Sequence, residues 1–263
     1  MRKTMALFAV LASGLLYAGP AGAIVNGQLD GNLHPEVGAL IAEYVQPGQK
    51  DVLCSGTLIS PTVFLTAAHC TDFLASLGIT DVWVTFDSQF TSTSTLFHGS
   101  YVTDPDYNAY AGAGGSSDPH DLAVVLLDKA VKGITPARLP TENLLGTTDL
   151  TSQTFTAVGY GTVRSSSTGG PNAFFFDSTR RYVLQFFLSL EPSWLNLSEN
   201  PSTGSGGTCF GDSGGPHFLG GVSSNLEVAV TVTGDAVCRA TDKDYRIDTP
   251  SARQFIGTHV TLP

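Results

Sequence analysis

Basic residues are scarce in this chain of 263 residues: 13 Lys and Arg stand against 23 Asp and Glu, for a formal net charge of −10. That balance argues against nucleic acid or an anionic membrane surface as a partner, because both recruit the opposite sign. Cysteine is also sparse. The four present, Cys54, Cys70, Cys209 and Cys238, include no C-x-x-C pair, which speaks against zinc ligation. Strong helical periodicity is rare and no internal repeat is visible. Past the N-terminus no run is long and apolar enough to cross a bilayer.

The one apolar run, Met5 to Ala18, follows Arg2 and Lys3 and precedes Ala21-Gly22-Ala23. This is the pattern of a secretory signal peptide over 1–23, cleaved before Ile24. It is too short for the ~20 residues of a spanning helix. A secreted chain with four cysteines is expected to form two disulfides, and composition leaves all three pairings open. Asn196-Leu197-Ser198 is a glycosylation sequon, meaningful only in a eukaryotic secretory route.

What the chain does have is short strand-like runs broken by Gly, Pro, Ser and Asn. One set covers Val37–Val45, Val52–Ser60, Val63–Ala68, Val82–Phe86, Leu96–Thr103 and Leu122–Leu127. A second covers Thr154–Val163, Arg181–Leu190, His217–Val222 and Leu226–Thr233. Regular short strands between turn signals indicate an all-β sandwich or barrels. Val131 to Leu145, with two prolines, reads as a connection between two halves. Thr249-Pro250 followed by Ala252, Phe255 and Ile256 predicts a short C-terminal helix.

The stretch TCFGDSGGP, Thr208 to Pro216, surrounds one serine with small residues. Acyl transfer needs an activated hydroxyl, a base and donors for an oxyanion. Ser213 offers the hydroxyl, and the N–H groups of Gly211 and Ser213 offer the donors. Of six histidines, His69 in LTAAHC stands out, because it ends an apolar run beside Cys70. Asp121 heads the apolar DLAVVLLD, which would bury a carboxylate unless it were paired. Asp118 and His120 are rivals nearby.

TAAHC, DLAVVLLD and GDSGGP in that order, with IVNG after a signal peptide, resemble the trypsin/chymotrypsin family of serine endopeptidases over essentially all of Ile24–Pro263. The resemblance implies two antiparallel six-stranded β-barrels with the active site between them and a short C-terminal helix. The first barrel is expected over 24–130, the connection over 131–145, and the second barrel with its helix over 146–263. The implied roles are nucleophile for Ser213, general base and acid for His69, orienting carboxylate for Asp121, and oxyanion hole for Gly211 and Ser213. Cys54–Cys70 and Cys209–Cys238 are the implied disulfides, and Ile24 with Asp212 the implied N-terminal ion pair. Gly207 falls at the floor of the primary pocket, with Thr208, Thr233 and Gly234 around it and Asp244 near another wall.

The implied function is secreted endopeptidase chemistry on protein or peptide substrates by a monomer, with no metal and no organic cofactor. Preference for apolar, aromatic or varied side chains is expected, with Arg/Lys as the alternative if Asp244 points inward. A catalytically inactive binding protein on the same fold is the rival reading. The chain departs from the family at Val232-Thr233-Gly234, where Ser-Trp-Gly is usual. There Thr231 or Thr233 is left to support the aspartate. It departs also at Ala23, where a basic residue usually precedes the mature Ile, so signal removal itself would create the new amine.

Overall fold

The computed structural model describes residues 27–111, 118–164 and 174–263; the expected signal peptide and Ile24 lie outside them. A two-residue strand β1 (Gln28–Leu29) leads into β2 (Val37–Ala42), β3 (Asp51–Ser60) and β4 (Val63–Thr66). The helix α1 (Ala68–Ser76) follows, then β5 (Asp81–Thr85), β6 (Phe97–Thr103) and β7 (Ala123–Leu127). Strands β2 to β7 close into an antiparallel barrel in the order β2-β3-β4-β7-β6-β5. Closure pairs every strand edge, so the barrel has no open edge to protect.

After the short helix α2 (Leu144–Thr147) come β8 (Thr154–Gly159), a small ribbon of β9 (Val163–Arg164) and β10 (Phe174–Phe175), and β11 (Arg181–Leu190). Then follow β12 (Trp194–Ser198), β13 (Pro216–Leu219), β14 (Glu227–Gly234) and β15 (Thr241–Arg246). They form a second six-stranded barrel, ordered β11-β12-β15-β14-β13-β8 and closed by pairing of β8 with β11. The helix α3 (Pro250–Ile256) starts as the Thr249-Pro250 signal predicts. Thr249 accepts a hydrogen bond from the Ala252 N–H at 3.3 Å.

Two strands of the second barrel and the helix α1 depart most from the sequence reading. β12 and β15 carried no strand signal, and the run expected to stay extended to Ala68 ends at Thr66 and becomes α1. β15, TDKDYR, reads as a polar loop, yet Asp242 and Asp244 are completely buried.

The two barrels meet along β2, which is buried on both faces. Strand side chains alternate, so Leu40 and Ala42 fill the first barrel while Val37, Ala39 and Ile41 pack with Val158, Tyr160 and Phe218 of the second. Arg180, fully buried just before β11, locks this seam. Its guanidinium donates to Asp30 (2.8 Å), to the carbonyls of Val37 (2.8 Å), Phe86 (3.0 Å) and Gly31 (3.2 Å), and to the Tyr160 hydroxyl (3.2 Å). Asp30 in turn holds His34 Nδ1 at 2.5 Å. Breaking such a buried pair by removing one partner costs about 3–5 kcal/mol.

Glu227, which opens β14, lies opposite Thr57 of the first barrel, fully enclosed. Burial pushes its carboxyl well above the usual range, and the nearby Glu36 adds to this. The folded state therefore holds a proton that the unfolded chain releases above the ordinary carboxylate range of ~4.3. The stabilisation is complete below that range and is lost as pH rises toward the folded value. Glu227→Gln, which cannot ionise, should match or trail the wild type in acid and gain on it steadily with rising pH. Thermal unfolding of both proteins from about pH 4 to about pH 9 checks this; parallel profiles would exclude it.

Candidate active site

Ala67 is extended (φ −85°, ψ 144°), and His69 stands in the first turn of α1. The Cys54–Cys70 disulfide ties that turn to β3, with Cα atoms 6.5 Å apart. A cross-link of this span constrains the unfolded chain by roughly 3 kcal/mol, and it fixes the backbone next to the imidazole. Asp121 reaches His69 twice. One carboxylate oxygen accepts the backbone N–H at 2.9 Å and the other faces Nδ1 at 2.9 Å. A carboxylate oxygen accepts, so Nδ1 is the donor of this pair and Nε2 is the ring nitrogen that Asp121 leaves unengaged.

The turn before β7 aims Asp121. His120 takes φ 52°, in the left-handed region, and its carbonyl accepts the Leu122 N–H at 2.8 Å. Asp118 is occupied elsewhere. It accepts hydrogen bonds from Tyr245 (2.6 Å) and Ser251 (2.5 Å), and these with the His120 N–H hold its carboxyl below the usual range against the opposing effect of burial. Thr231, one of the two threonines expected to support the aspartate, faces His217 Nδ1 at 3.5 Å.

The loop carrying Ser213 belongs to the second barrel but is fastened to the first. The Ser55 N–H of β3 donates to the Ser213 carbonyl at 2.8 Å, and the Ser55 hydroxyl donates to the Gly211 carbonyl at 3.0 Å. Gly214 (φ +82°) makes this closeness possible. A Cβ there would stand 2.2 Å from the Thr66 hydroxyl and 2.4 Å from the Ser55 carbonyl. The absent side chain thus lets the loop lie against the strand end that leads to His69. The Phe210 carbonyl accepts from the Thr162 N–H (2.7 Å) and hydroxyl (2.9 Å). In a trans peptide this turns the Gly211 N–H the opposite way.

Asp212 is enclosed and accepts N–H bonds from Cys209 (2.9 Å) and Gly161 (2.8 Å). Burial outweighs these bonds and pushes its carboxyl up to about 7. Ile24, its expected ammonium partner, lies outside the described residues.

Ser213 lines a cavity of about 270 Å³ with Thr208, Thr231, Val232, Thr233 and Gly234, walled by the Cys209–Cys238 disulfide. Gly207 and Asp244 do not line it. Gly207 lies against Glu199, whose carboxyl carbon would be 2.7 Å from a Cβ at that position. Glu199 is fully buried. Burial, then the Asp242, Asp235 and Asp212 carboxylates, push it up to about 10.

Behind the cavity wall, Thr208 donates to Asp242 at 2.8 Å. Asp242 also accepts from Gln185 (2.8 Å) and faces His217 Nε2 (3.2 Å). Burial opposes ionisation of Asp242, but His217, Gln185 and Thr208 together hold its carboxyl below the usual range. Burial, then Asp242 beside it, push Asp244 well above that range.

Three groups of ligand-type side chains lie within metal-binding distance among the described residues. In the first, Cys54, His69 and Cys70, both sulfurs are spent in a disulfide. The others are Asp104, Asp106 and His120, and His217, Asp242 and Asp244. Sequence reasoning passed over Ser55, whose only signal is its place beside Cys54. Asp242, next to Asp244 in a segment expected near a pocket wall, is engaged by Thr208 from 34 residues away, and His217, which carries no sequence signal of a role, by Gln185 from 32 residues away.

A protein-family model described as Trypsin matches residues 42–256. A venom serine protease of Polistes dominula is 30% identical over 152 residues, covering 54% of this chain and 50% of that protein. A chymotrypsin of Phaedon cochleariae is 26% identical over 200 residues, covering 74% of this chain and 67% of that protein. The chain therefore spans half the length of the first relative and about two thirds of the second. The solved structure of HL collagenase has the same fold, with a TM-score of 0.63 at 20% identity over 90% of this chain and 98% of that one. With the family pattern running through both barrels, the chain belongs to the trypsin family.

Proposed function

We propose that the chain is a secreted serine endopeptidase whose peptidase unit runs from Ile24 to Pro263. The observation that carries this reading is the double hydrogen bond from His69 to Asp121, beside a serine loop fastened to the same barrel through Ser55. Ser213 attacks the scissile carbonyl while His69 Nε2 takes its proton. Asp121 holds the imidazole in the required tautomer and stabilises it when charged. The N–H groups of Gly211 and Ser213 receive the oxyanion, each such donor being worth about 2.7–4 kcal/mol in a preformed site. His69 then returns the proton to the leaving amine, and water releases the acyl group by the reverse sequence. Signal removal before Ile24 supplies the α-amine for Asp212, whose enclosed carboxyl accepts only backbone N–H groups among the described residues.

A fluorophosphonate probe is expected to label Ser213 in the wild type and nothing in Ser213→Ala. Asp121→Asn should lower kcat by about four orders of magnitude through the wrong tautomer, with folding intact. Asp118→Asn should act mainly on stability, since Tyr245 and Ser251 hold that carboxylate. An unlabelled, inactive wild type would support the rival binding protein. Secreted active material should begin Ile-Val-Asn-Gly on N-terminal sequencing, and a start upstream of Ile24 would contradict activation by signal removal.

The primary pocket is proposed to accept apolar or varied side chains, because Gly207 contributes no charge and Asp244 is withdrawn from the cavity. One observation favours some acceptance of Arg and Lys: Thr208 lines the cavity and bonds an ionised Asp242 behind it. Matched substrates ending in Phe, Leu, Ala, Arg and Lys separate the two. Phe and Leu should be cleaved at least as well as Arg. Thr208→Val should lower kcat/KM for Arg and Lys relative to Phe by roughly tenfold or more, the size of one hydrogen bond to a charged group at ~1.5–3 kcal/mol. A wild type that cleaves only after Arg and Lys would overturn the apolar reading.

A further inference from the structure

The interior of the second barrel is polar at one level. His217 on β13, Thr231 on β14, Asp242 and Asp244 on β15 and Gln185 on β11 converge there, all essentially shut off from solvent. Three carboxylate oxygens in this group, Asp242 Oδ1 and both of Asp244, have no hydrogen-bond partner among the described residues. Enclosed carboxylate oxygens left without partners are costly, so either a proton shared between Asp244 and Asp242 or a bound cation must meet them.

We propose that His217, Asp242 and Asp244 bind one divalent transition-metal ion of the Zn²⁺ type inside the second barrel, as a structural site. One nitrogen and two carboxylates are a donor set suited to such an ion. Its two positive charges cancel the two carboxylates. The ligand-type atoms of these three residues lie within 4.8 Å of one another. His217 Nδ1 stands 3.4 Å from Asp244 Oδ1 and 3.5 Å from the Thr231 hydroxyl. A tetrahedral ion with bonds of ~2.1 Å sets its ligands about 3.4 Å apart.

The outer contacts fit the same assignment. His217 Nε2 faces Gln185 Oε1 at 2.9 Å and Asp242 Oδ2 at 3.2 Å, leaving Nδ1, with only the long Thr231 and Asp244 contacts, as the ligand nitrogen. Asp242 Oδ2 is fixed by Gln185 and Thr208, leaving Oδ1 free. Metal-binding imidazoles and carboxylates are oriented by such outer hydrogen bonds. The ion does not touch the reacting atoms. Through Asp242 and Thr208 it would steady the wall of the substrate cavity and offset the negative charge that favours Arg and Lys there, and those two consequences alone rest on the proposed function.

The test is metal analysis of the secreted protein, inactivated with fluorophosphonate and dialysed against EDTA while folded to strip surface ions. About one equivalent of metal should survive this dialysis and be released when the chain is unfolded in EDTA. Asp244→Asn and His217→Gln should lose it, whereas Asp104→Asn and His120→Asn should keep it. Refolding the wild type with Co²⁺ should give the visible absorption of a tetrahedral site, which serves if the core variants do not fold. A folded wild type without metal, metal retained in a folded Asp244→Asn, or no cobalt spectrum would each overturn the site. Fluorophosphonate labelling reports separately on the proposed catalysis, so either reading can fail without the other.

Discussion

The buried guanidinium of Arg180 is the constraint on which the site depends. His69 and Asp121 are carried by one barrel and Ser213 by the other, so their mutual geometry is the geometry of the barrel seam. Arg180 leaves the second barrel and satisfies two carbonyls on the edge of the first, at Val37 and Phe86. A planar fork with fixed donor directions resists rotation in a way a lysine could not. Asp30 supplies the balancing charge from 150 residues earlier, which draws the N-terminal arm into the same knot. Ser55 repeats the arrangement on a smaller scale at the serine loop, where both its backbone and its hydroxyl are engaged.

The candidate site was legible in the sequence because its residues sit in short contiguous runs. LTAAHC carries the imidazole, its disulfide cysteine and the end of a strand. GDSGGP carries the serine and the glycine that lets its loop approach Thr66. The strands of the first barrel were legible because their alternation is apolar. β15 was not, because Asp242, Lys243 and Asp244 look like a solvated turn. A sequence pattern reads charge as exposure, and only the three-dimensional partners reverse that. Gln185 is 57 residues from Asp242, and no local spacing signals such a pair. Arg180 escaped notice for the same reason.

The helix α1 shows a second limit of pattern reading. Ala67, Ala68 and Cys70 continue the apolar run of β4, so apolarity alone marks no break after Thr66. The Cys54–Cys70 link and the two bonds from His69 to Asp121 favour a tight helical turn instead. Tertiary anchoring and the helix preference of alanine act together there, and the anchoring groups are those of the candidate site.

Enclosed acid groups also change what the molecule's charge means. Glu199, Glu227 and Asp244 count toward the formal −10, yet all three are sealed from water with their carboxyls pushed upward. Glu199, pushed up to about 10, keeps its proton at neutral pH, and a proton or cation held by either of the others removes a further unit of charge. The folded particle is therefore less anionic than its residue count. Unfolding exposes those acids to water and makes the chain more negative, so on a native gel run across a denaturant gradient the loss of compactness and the gain of mobile charge would pull the band in opposite directions.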